Sequence, residues 1–508
     1  MLRTFPLYTA AQVRQLDRRA IKQAGIPGYT LMSRAGKAAW DLIHNTWPDA
    51  HSLLILCGTG NNGGDGYVIG RLALAAGHAV QVMQLGDVTG IKGDALTARE
   101  AYLAAGGKVE PFAGRIPGHV ELVVDAMLGT GLERPPAGDW LAAIEMLNAG
   151  SQPVLAVDIP TGLHADTGRV LGAAVQADLT VTFIGRKHGL YTGQGPEIAG
   201  KVVFDDLQLP ASVYQSVLVL AELVTGISSD LPALHRSRTA HKGHHGHVLV
   251  IGGEQGMSGA VQLAGLAALR SGAGLVSVAT RPTHAAVMAA ACPELMCHGL
   301  AGADELAPLL ARATVVAIGP GLGRSDWSRQ LLSQVLQSRL PVVVDADALN
   351  LLAHEAAHRN NWILTPHPGE AGRLLDMSAD DIQQDRFAAV RALVDSYGGT
   401  AVLKGAGSLV CTAERPVAVC TTGNPGMATA GMGDVLTGII ASLVAQGLSL
   451  PDAAILGTCL HGQAGDRAAV AGERGMLARD VIAELRHVTN ALGDAACVCL
   501  SRMPGRWM

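Results

Sequence analysis

A glycine-rich segment in the C-terminal half of the chain has residue types and spacing suited to phosphate chemistry. Gly431, Gly433 and Asp434 directly precede apolar residues spaced as on one face of a helix, namely Val435, Leu436, Ile439, Ile440, Leu443 and Val444. The free N–H groups and the positive dipole end of such a helix bind anions. A carboxylate in its first turn can accept the proton of an attacking hydroxyl group. We therefore predict that Asp434 is a general base in phosphoryl transfer.

The alternative is that Asp434 only caps the helix, because Asp is a common N-cap residue. Two features favour the catalytic interpretation. A second tight turn, Asn424-Pro425-Gly426, lies just upstream in the segment from Thr421 to Gly438. The apolar, uncharged helix that follows also predicts a rigid and buried support for the carboxylate.

A second glycine-rich loop, Gly58 to Gly66, lies between the first predicted strand of the sheet and a helical pattern. Strand, glycine loop and helix in this order form a phosphate-binding turn in a doubly wound sheet. Asn61, Asn62 and Asp65 make this loop more polar than a dinucleotide-binding or Walker A loop. It could therefore offer oxygens to a cation as well as N–H groups to a phosphate. A tight structural turn is the alternative, but it needs fewer polar residues.

Three acidic residues fall at the ends of predicted strands in the N-terminal half. Asp125 opens Asp-Ala-Met-Leu-Gly-Thr-Gly131, and Asp158 opens Asp-Ile-Pro-Thr-Gly162. Because the carboxyl ends of parallel strands meet at one edge of a sheet, these two residues and Asp65 should converge on one crevice. A single strand-end Asp is often only a helix cap, but three with glycine-rich loops predict a site.

The elements that must position these residues alternate between strand and helix. In the first half, helices are predicted at 9–25 and 31–44, and strands at 53–57, 80–85, 121–125, 154–158, 179–184 and 201–204. In the second half, a helix is predicted at 260–270, with strands at 247–251, 275–279, 315–318, 341–344, 362–364 and 400–403. Polar or glycine loops follow these strands at 252–259, 319–323, 345–350, 365–370 and 404–408. This alternation predicts parallel sheets covered by helices.

The length of 508 residues predicts two or three domains, and the 49% of hydrophobic residues is enough for large cores. The net charge of −5 and the 4% of aromatic residues argue against a nucleic-acid or anionic-membrane surface. The first residues show no apolar segment typical of a signal peptide. The eight cysteines are scattered, and Cys497-Val-Cys499 lacks zinc-ligand spacing. We expect reduced thiols in a cytoplasmic protein.

The strand and helix patterns lapse between about Gln208 and Arg238, which predicts a linker. We place it at 216–234, between domains at 1–215 and 235–508. Five histidines follow at positions 235, 241, 244, 245 and 247. Their spacing fits neither a helix face nor a zinc site, so a loop is favoured over a metal centre.

The motifs GTGNNGGDG, DAMLGTGL and VDIPTGL resemble the N-terminal epimerase domain of the NAD(P)H-hydrate repair (YjeF) family, over about residues 1–215. The resemblance implies epimerisation of NADHX and NADPHX, which are hydrated at C6 of the nicotinamide ring, with Asp158 as the catalytic residue. It implies that K⁺ is bound by Asn62, Asp125 and Thr161. The implied substrate contacts are Asn61, Asn62, Gly63, Gly64, Asp65, Gly129, Thr130, Gly131, Leu132, Glu133, Arg134, Pro135 and Asp158.

The motifs GMSGA, GPGLG, DADALN, TPHPGE, KGAGSLV and AGMGDVLTG resemble the dehydratase domain of the same family, over about residues 225–500. The resemblance implies a ribokinase-like fold and dehydration of (S)-NAD(P)HX with ADP and Mg²⁺, giving AMP and phosphate. The implied substrate contacts are Ala260, Gly321, Leu322, His367 and Asp434. The implied nucleotide contacts are Lys404, Gly405, Ala406, Gly407, Ser408 and Gly433. A structural turn histidine and a solvated lysine are the alternatives for His367 and Lys404.

Together these features predict a fused repair enzyme of α/β class, with a Rossmann-like doubly wound sheet followed by a ribokinase-like domain. Asp158 would stabilise an iminium or ring-opened intermediate and move a proton. Asp434 would support phosphorylation of the C6 hydroxyl group, after which phosphate leaves. Fusion of the two enzymes in one chain is useful, because the dehydratase would accept only one of the epimers that the epimerase interconverts.

Two other functions remain open on the sequence alone. The second half could be a small-alcohol kinase for a vitamin or sugar, since such kinases share the fold and the Gly-x-Gly-Asp motif. The first half could then be a binding module for RNA or protein without catalysis. The expected partners of the repair enzyme are NADHX, NADPHX and ADP, with neither nucleic acid nor membrane. The oligomeric state stays open, with a homo-oligomer among the expectations.

Overall fold

The computed structural model describes residues 2–227, 234–355 and 357–491. The chain forms two compact units. The N-terminal unit is Pro6–Ala221, and the C-terminal unit contains the described residues up to Phe5 and from Glu222 onward. The predicted Cys497–Cys499 pair and residues 228–233 of the predicted linker lie outside the described residues.

The N-terminal unit is built on a seven-stranded parallel sheet with helices on both faces. Its strands are β2 (Ser52–Cys57), β3 (Ala79–Gln84), β4 (Val109–Pro111), β5 (Leu122–Ala126), β6 (Val154–Val157), β7 (Leu179–Phe183) and β9 (Lys201–Asp205), in the order β4-β3-β2-β5-β6-β7-β9. Its helices are α1 (Ala10–Lys22), α2 (Gly28–Thr46), α3 (Asn61–Ala75), α4 (Gly93–Ala104), α5 (Asp139–Ala149) and α6 (Gly195–Ile198). A short strand, β8 (Arg186–Lys187), pairs with the end of β1 (Leu2–Tyr8).

The strand order of this sheet explains where a ligand can bind. Alternate residues of β2 pack into two separate hydrophobic clusters, with Leu53 and Ile55 on one side and Leu54 and Leu56 on the other. Both faces are therefore buried, as expected of a parallel sheet. The order reverses between β2 and β5, and ligands bind doubly wound sheets at such a switch point.

The C-terminal unit has a larger sheet that is parallel over seven neighbouring strands, which are followed by a hairpin. Its strands are β10 (Ala221–Ile227), β11 (His247–Ile251), β12 (Leu275–Thr280), β13 (Met296–Gly299), β14 (Val315–Ile318), β15 (Val342–Val344), β16 (Trp362–Leu364), β17 (Thr400–Leu403), β18 (Ser408–Thr412) and β19 (Arg415–Cys420). The order is β13-β12-β11-β14-β15-β16-β17-β18-β19-β10-β1, with β17, β18 and β19 antiparallel.

Eleven helices of the described residues accompany this sheet. They are α7 (Ser258–Arg270), α8 (Pro282–Ala291), α9 (Ala307–Leu310), α10 (Asp326–Gln337), α11 (Ala346–Leu352), α12 (Pro368–Leu375), α13 (Ala379–Gln384), α14 (Arg386–Tyr397), α15 (Met432–Ala445), α16 (Leu450–Ala468) and α17 (Ala478–Asn490). Helix α15 is buried on two sides, since Leu436 and Ile440 join one cluster with the sheet, while Val435 and Ile439 join another with α16 and α17. The predicted rigid support for Asp434 is thus present.

The prediction that regular structure lapses between Gln208 and Arg238 is wrong for β10, Ala221–Ile227. This strand lies beside β1, which the sequence patterns also missed. Each strand has a pairing partner that is remote in sequence, so neither is marked by a local turn signal. The histidine-rich segment is not all loop. His241 caps a 3₁₀ turn, Lys242–His245, and His247 begins β11.

None of the helices in the described ranges is both long and apolar enough to cross a membrane.

Candidate active sites

A cavity of about 1320 Å³ lies in the N-terminal unit and contains most of the predicted epimerase residues. It is lined by Asn61, Asn62, Asp65, Gly129, Thr130, Gly131, Leu132, Glu133, Arg134, Pro135 and Asp158, together with α1 and α2 residues that include Arg14 and Asp17. The polar segments follow β2, β5 and β6, as predicted for the carboxyl edge of the sheet. Of the predicted contacts, Gly63 and Gly64 do not line the cavity.

The segment Asn61–Asp65 is the first turn of helix α3, so the prediction of a loop ending at Gly66 is wrong. Glycines are needed here for close packing. A Cβ atom on Gly63 would lie 2.0 Å from the carbonyl oxygen of Gly58, and one on Gly64 would lie 2.6 Å from the Sδ of Met32. The helix start, with Gly60 as its N-cap residue, still directs free N–H groups towards an anion.

Asp158 follows β6 in a left-handed backbone conformation, with φ of 66°. Non-glycine residues adopt this region at a cost and do so most often where function demands it. Its Oδ1 forms an ion pair with the ammonium group of Lys187, whose side chain is fully buried. Sequence reasoning missed Lys187, because a lysine between Arg186 and His188 looks like part of a solvated basic segment.

Asp65 lies deeper beside this pair. Burial raises the pKa of Asp65 well above its usual value; the charges of Asp158 and Asp17 add to that shift, and Lys187 opposes it. The cavity thus combines a buried carboxyl group whose pKa is raised with an ion-paired carboxylate.

Of the predicted ion ligands, Asn62 lines the cavity, whereas Asp125 and Thr161 do not line it and bond to each other. The hydroxyl of Thr161 donates to Asp125 Oδ1 at 2.8 Å, and the Thr161 N–H donates to Oδ2 at 2.8 Å. Burial raises the pKa of Asp125 to about 6, although its bonds from Thr161 and Met127 oppose the shift. The Oδ1 and Nδ2 atoms of Asn62 are buried without a hydrogen-bond partner among the described residues.

In the C-terminal unit, Asp434 occupies the first turn of α15 and does not cap it. The N-cap residue is Gly431, at φ of 88°, and no side chain bonds to this cap. A Cβ atom on Gly431 would lie 2.6 Å from Leu263, so only glycine fits. The alternative of a capping carboxylate is therefore excluded by the position of the helix start.

Asp434 has an unusual protonation equilibrium. Burial and then the neighbouring charge of Asp345 raise the pKa of Asp434 to about 7, while Lys404 opposes the shift. A carboxyl group with such a pKa exchanges protons readily at neutral pH.

Lys404 is not a solvated lysine at a strand end. Its Nζ lies 2.8 Å from Asp345 Oδ1 and 3.6 Å from Glu370 Oε2, and both carboxylates are buried. Thr437 of α15 donates to Asp345 Oδ2 at 2.8 Å. Burial opposes ionisation of Asp345, but Lys404 and these hydrogen bonds outweigh it and lower the pKa of Asp345. A Cβ atom on Gly433 would lie 3.4 Å from both Lys404 Nζ and Asp345 Oδ2.

Asp345 and Glu370 are members of the site that sequence reasoning did not single out. The segments that contain them were predicted as loops, at 345–350 and 365–370. Instead, α11 starts directly after Asp345, and α12 starts at Pro368 with His367 as its N-cap residue. The signal in the sequence was Pro at the first helical position with Glu two residues later.

The predicted nucleotide turn from Lys404 joins β17 to β18. Gly405 and Gly407 have φ of 144° and 62°, which suit glycine. The Ser408 hydroxyl accepts from the Gly405 N–H and donates to the Gly405 carbonyl at 3.0 Å, which closes the turn. Ala406 lies within this turn, so the predicted nucleotide residues are adjacent.

Two of the predicted substrate residues of this unit, Gly321 and Ala260, lie next to each other. A Cβ atom on Gly321 would lie 3.1 Å from Ala260, at the start of α7. Leu322 is fully buried, so only its backbone could contact a ligand. His367 Nδ1 accepts a hydrogen bond from the Gly369 N–H at 3.0 Å. This nitrogen therefore has a structural role in the turn, as the alternative for His367 predicts. Its Nε2 lies 3.5 Å from Glu370 Oε1.

Comparison with known families gives a match for each unit. Residues 28–189 match the family described as YjeF-related protein N-terminus. Residues 248–487 match the family described as NAD(P)H-hydrate dehydratase.

Full-length relatives show the same two parts. A bifunctional NAD(P)H-hydrate repair enzyme of Coxiella burnetii is 49% identical over 487 residues, covering 95% of this chain and 99% of the relative. That of Escherichia coli is 44% identical over 486 residues, covering 95% and 94%. A solved ADP/ATP-dependent NAD(P)H-hydrate dehydratase of Bacillus subtilis is 28% identical, covering 51% of this chain and 94% of that chain, with a TM-score of 0.45. The predicted resemblance and fold class are confirmed, and the chain belongs to the family of bifunctional NAD(P)H-hydrate repair enzymes, with an epimerase-type N-terminal domain and a dehydratase C-terminal domain.

Proposed function

We propose that Asp434 is the general base that lets the C-terminal unit phosphorylate the C6 hydroxyl group of (S)-NAD(P)HX at the expense of ADP. The observation that carries this proposal is a carboxyl group of pKa about 7 in the first turn of a buried helix whose start is free of side-chain caps. An ordinary carboxylate is too weak a base for a hydroxyl proton, and a raised pKa improves the match.

The surrounding groups fit the remaining charges of the reaction. As Asp434 takes the hydroxyl proton, the C6 oxygen attacks the β-phosphorus of ADP, and AMP leaves. The N–H groups after Gly431 then face a growing negative charge, which the helix dipole also stabilises. Loss of phosphate from C6 and of a proton from C5 restores the double bond of NAD(P)H. Lys404, fixed by Asp345 and Glu370, supplies positive charge beside Gly433.

We propose Asp158 as the catalytic carboxylate of the N-terminal unit. C6 of the hydrate is a hemiaminal carbon, so its configuration is lost when the C–O bond breaks to an iminium ion or when the ring opens. A carboxylate in a cavity stabilises the cationic intermediate and moves the proton that either route requires. Asp158 lies in the cavity that Asn61, Asp65 and Gly129 also line.

The residues Asn62, Asp125 and Thr161 fit a K⁺ ion. The buried Oδ1 of Asn62 has no partner among the described residues, and the buried Asp125 carboxylate accepts a hydrogen bond from the Thr161 hydroxyl group. Oxygen donors of this kind suit a hard cation, which would neutralise Asp125 and fix the cavity floor. A thermal melt in KCl against LiCl at equal ionic strength tests this site: we expect K⁺ to raise the Tm of the wild type but not of Asn62→Ala.

Mg²⁺ would arrive with the nucleotide in the C-terminal unit. Such ions are held by one or two carboxylates together with phosphate oxygens and water. In this unit phosphate oxygens and water would fill most of the coordination sites of the ion, and the ion would offset phosphate charge.

The direct test is to mix the protein with chemically hydrated NADH, ADP and Mg²⁺ and to follow NADH absorbance. We expect both epimers to be consumed and AMP and phosphate to form in equal amounts. Recovery of only half of the substrate at the enzymatic rate would contradict the epimerase assignment. If the protein phosphorylates small alcohols and does not act on hydrated NADH, the C-terminal unit is a kinase and not a dehydratase.

A further inference from the structure

Lys187 is a fully buried lysine of the N-terminal unit and takes no part in the predicted site. Its side chain has no exposed surface, and it does not line the cavity. Burying an ion pair costs desolvation, and a well-packed apolar pair of similar volume is often as stable. The Lys187–Asp158 pair is therefore not explained by stability alone.

The three protons of the Lys187 ammonium group meet three acceptors. It forms the ion pair with Asp158 Oδ1 and donates to Thr182 Oγ1 and to the Phe183 carbonyl, both at 2.9 Å. An ammonium group has three donors and no acceptor, so this set is complete. Lys187 is thus held in place in its charged form and has no proton free to pass to a substrate.

The backbone around the pair is strained at two points. Ile184 adopts φ of 64°, a conformation that is a genuine outlier for a β-branched residue, and Asp158 adopts φ of 66°. The chain bends at Ile184, between β7 and β8, and Lys187 beyond the bend donates to the Phe183 carbonyl. Both strained residues line the cavity. Strain that brings two charged groups together beside a ligand cavity points to function.

The two carboxylate oxygens of Asp158 differ in their hydrogen bonds. Oδ1 accepts from the Lys187 ammonium group and from the Phe183 N–H, the latter at 3.3 Å. Oδ2 accepts no hydrogen bond within the described ranges and lies 3.9 Å from the position of a Cβ atom on Gly129, in the cavity wall. We propose that Lys187 is a positioning residue for epimerisation, which binds Asp158 Oδ1 and presents Oδ2 alone to the substrate. This proposal rests on the proposed catalytic role of Asp158.

The test compares Lys187→Met, of similar length but uncharged, with Lys201→Met, which removes an exposed lysine of β9. Conversion of the purified (R)-epimer of NADHX is followed by chromatography without nucleotide, so that no dehydration occurs. We expect kcat of Lys187→Met to fall by about 100-fold or more, with KM within about threefold, because the lysine does not touch the substrate. Lys201→Met should match the wild type, and dehydration of the (S)-epimer should be unchanged in both.

Two further variants, Asp158→Asn alone and Asp158→Asn combined with Lys187→Met, test the role of Lys187 separately from the catalytic role of Asp158. If Lys187 acts through Asp158, adding Lys187→Met to Asp158→Asn causes no further loss of epimerisation. Wild-type epimerisation by Asp158→Asn overturns the assignment of Asp158. Full loss with Asp158→Asn but wild-type kcat with Lys187→Met overturns the role of Lys187 alone.

A second variant covers the case in which Lys187→Met fails to fold. Thr182→Val keeps the ammonium charge and side-chain shape but removes one acceptor of Lys187. We expect its kcat for epimerisation to fall by about 3- to 30-fold at unchanged KM. An unchanged kcat in this variant overturns the proposal.

Discussion

The two proposed catalytic carboxylates have opposite electrostatic surroundings. Asp158 is held by a buried ammonium group, whereas burial and the charge of Asp345 dominate over Lys404 at Asp434 and raise its pKa to about 7. The environment of a carboxyl group decides whether it works as a fixed charge or as a proton acceptor. The surroundings thus suit Asp158 to stabilising a cation and Asp434 to taking a proton.

Asp434→Asn should remove dehydration and leave the fold intact. Asparagine has the same shape but cannot accept the hydroxyl proton, so we expect kcat for the (S)-epimer to fall by about 10²- to 10⁴-fold. The helix should keep its stability, because Gly431 and not Asp434 is its N-cap residue. Turnover and a thermal melt measure these effects, and epimerisation of the (R)-epimer is the internal control. Turnover within about threefold of the wild type would make Asp434 a structural residue.

The pH dependence of dehydration should reveal the raised pKa of Asp434. A general base acts only when deprotonated, so kcat/KM should be full above pH 7 and fall as the pH drops through about 7. The profile is measured at saturating Mg²⁺ and ADP. An acid limb near the usual pKa of Asp, about 4, would contradict the assignment.

At the scale of elements, close backbone contacts shape the N-terminal site. Helix α3 starts against the loop after β2, and its glycines admit the Gly58 carbonyl and Met32. The cavity-lining positions Asn61, Asn62 and Asp65 are thereby fixed on a rigid turn. A phosphate-binding turn of this kind depends on glycine for packing as much as for contact with the ligand.

Gly63→Ala should therefore destabilise the N-terminal unit strongly. Its Cβ atom would lie 2.0 Å from the Gly58 carbonyl oxygen, so the backbone must move, at a cost of about 3 kcal/mol or more. Gly60→Ala is the matched control, because nothing lies within 4 Å of that Cβ position and φ is −94°. Denaturant unfolding of both variants measures the difference. Equal free energies of unfolding would refute the packing argument.

The sequence predicted the elements with local signals and missed those that depend on distant partners. Strands such as β2 and β11 were located within a residue, because their apolar runs end in glycine or polar residues. The helix starts at Asn61 and Ala346 were taken for loops, since glycine and Asp are typical of both. Lys187 could not be recognised, because its burial depends on tertiary contacts, among them the ion pair with Asp158.

At the scale of the whole molecule, the C-terminal unit is discontinuous in sequence. Residues up to Phe5 belong to it, while Pro6–Ala221 form the N-terminal unit. Thr225 of β10 donates to the carbonyl of Arg3 in β1 at 3.3 Å. A dehydratase fragment that starts within β10 therefore lacks an edge strand and part of its neighbour.

Deletion of residues 2–5 should destabilise the C-terminal unit rather than the N-terminal one. Loss of a few strand hydrogen bonds should cost about 2 kcal/mol. A thermal melt followed by dehydratase activity after each heating step measures the effect, with epimerase activity as the comparison. Arg3→Ala is the control, since it keeps the backbone carbonyl that Thr225 bonds. If the epimerase is inactivated first, β1 belongs functionally to the other unit.

This arrangement has a consequence for the growing chain at the ribosome. Arg3 and Thr225 are separated by 222 residues. At roughly 5–20 residues per second, the partner of β1 is synthesised about 10 to 45 seconds after β1 itself. The whole N-terminal unit can fold in that interval while residues 2–5 remain without their strand partner. Residues 2–5 of β1 thus gain their partner β10 only after the next unit has begun to emerge, whereas Leu7 and Tyr8 can already pair with β8.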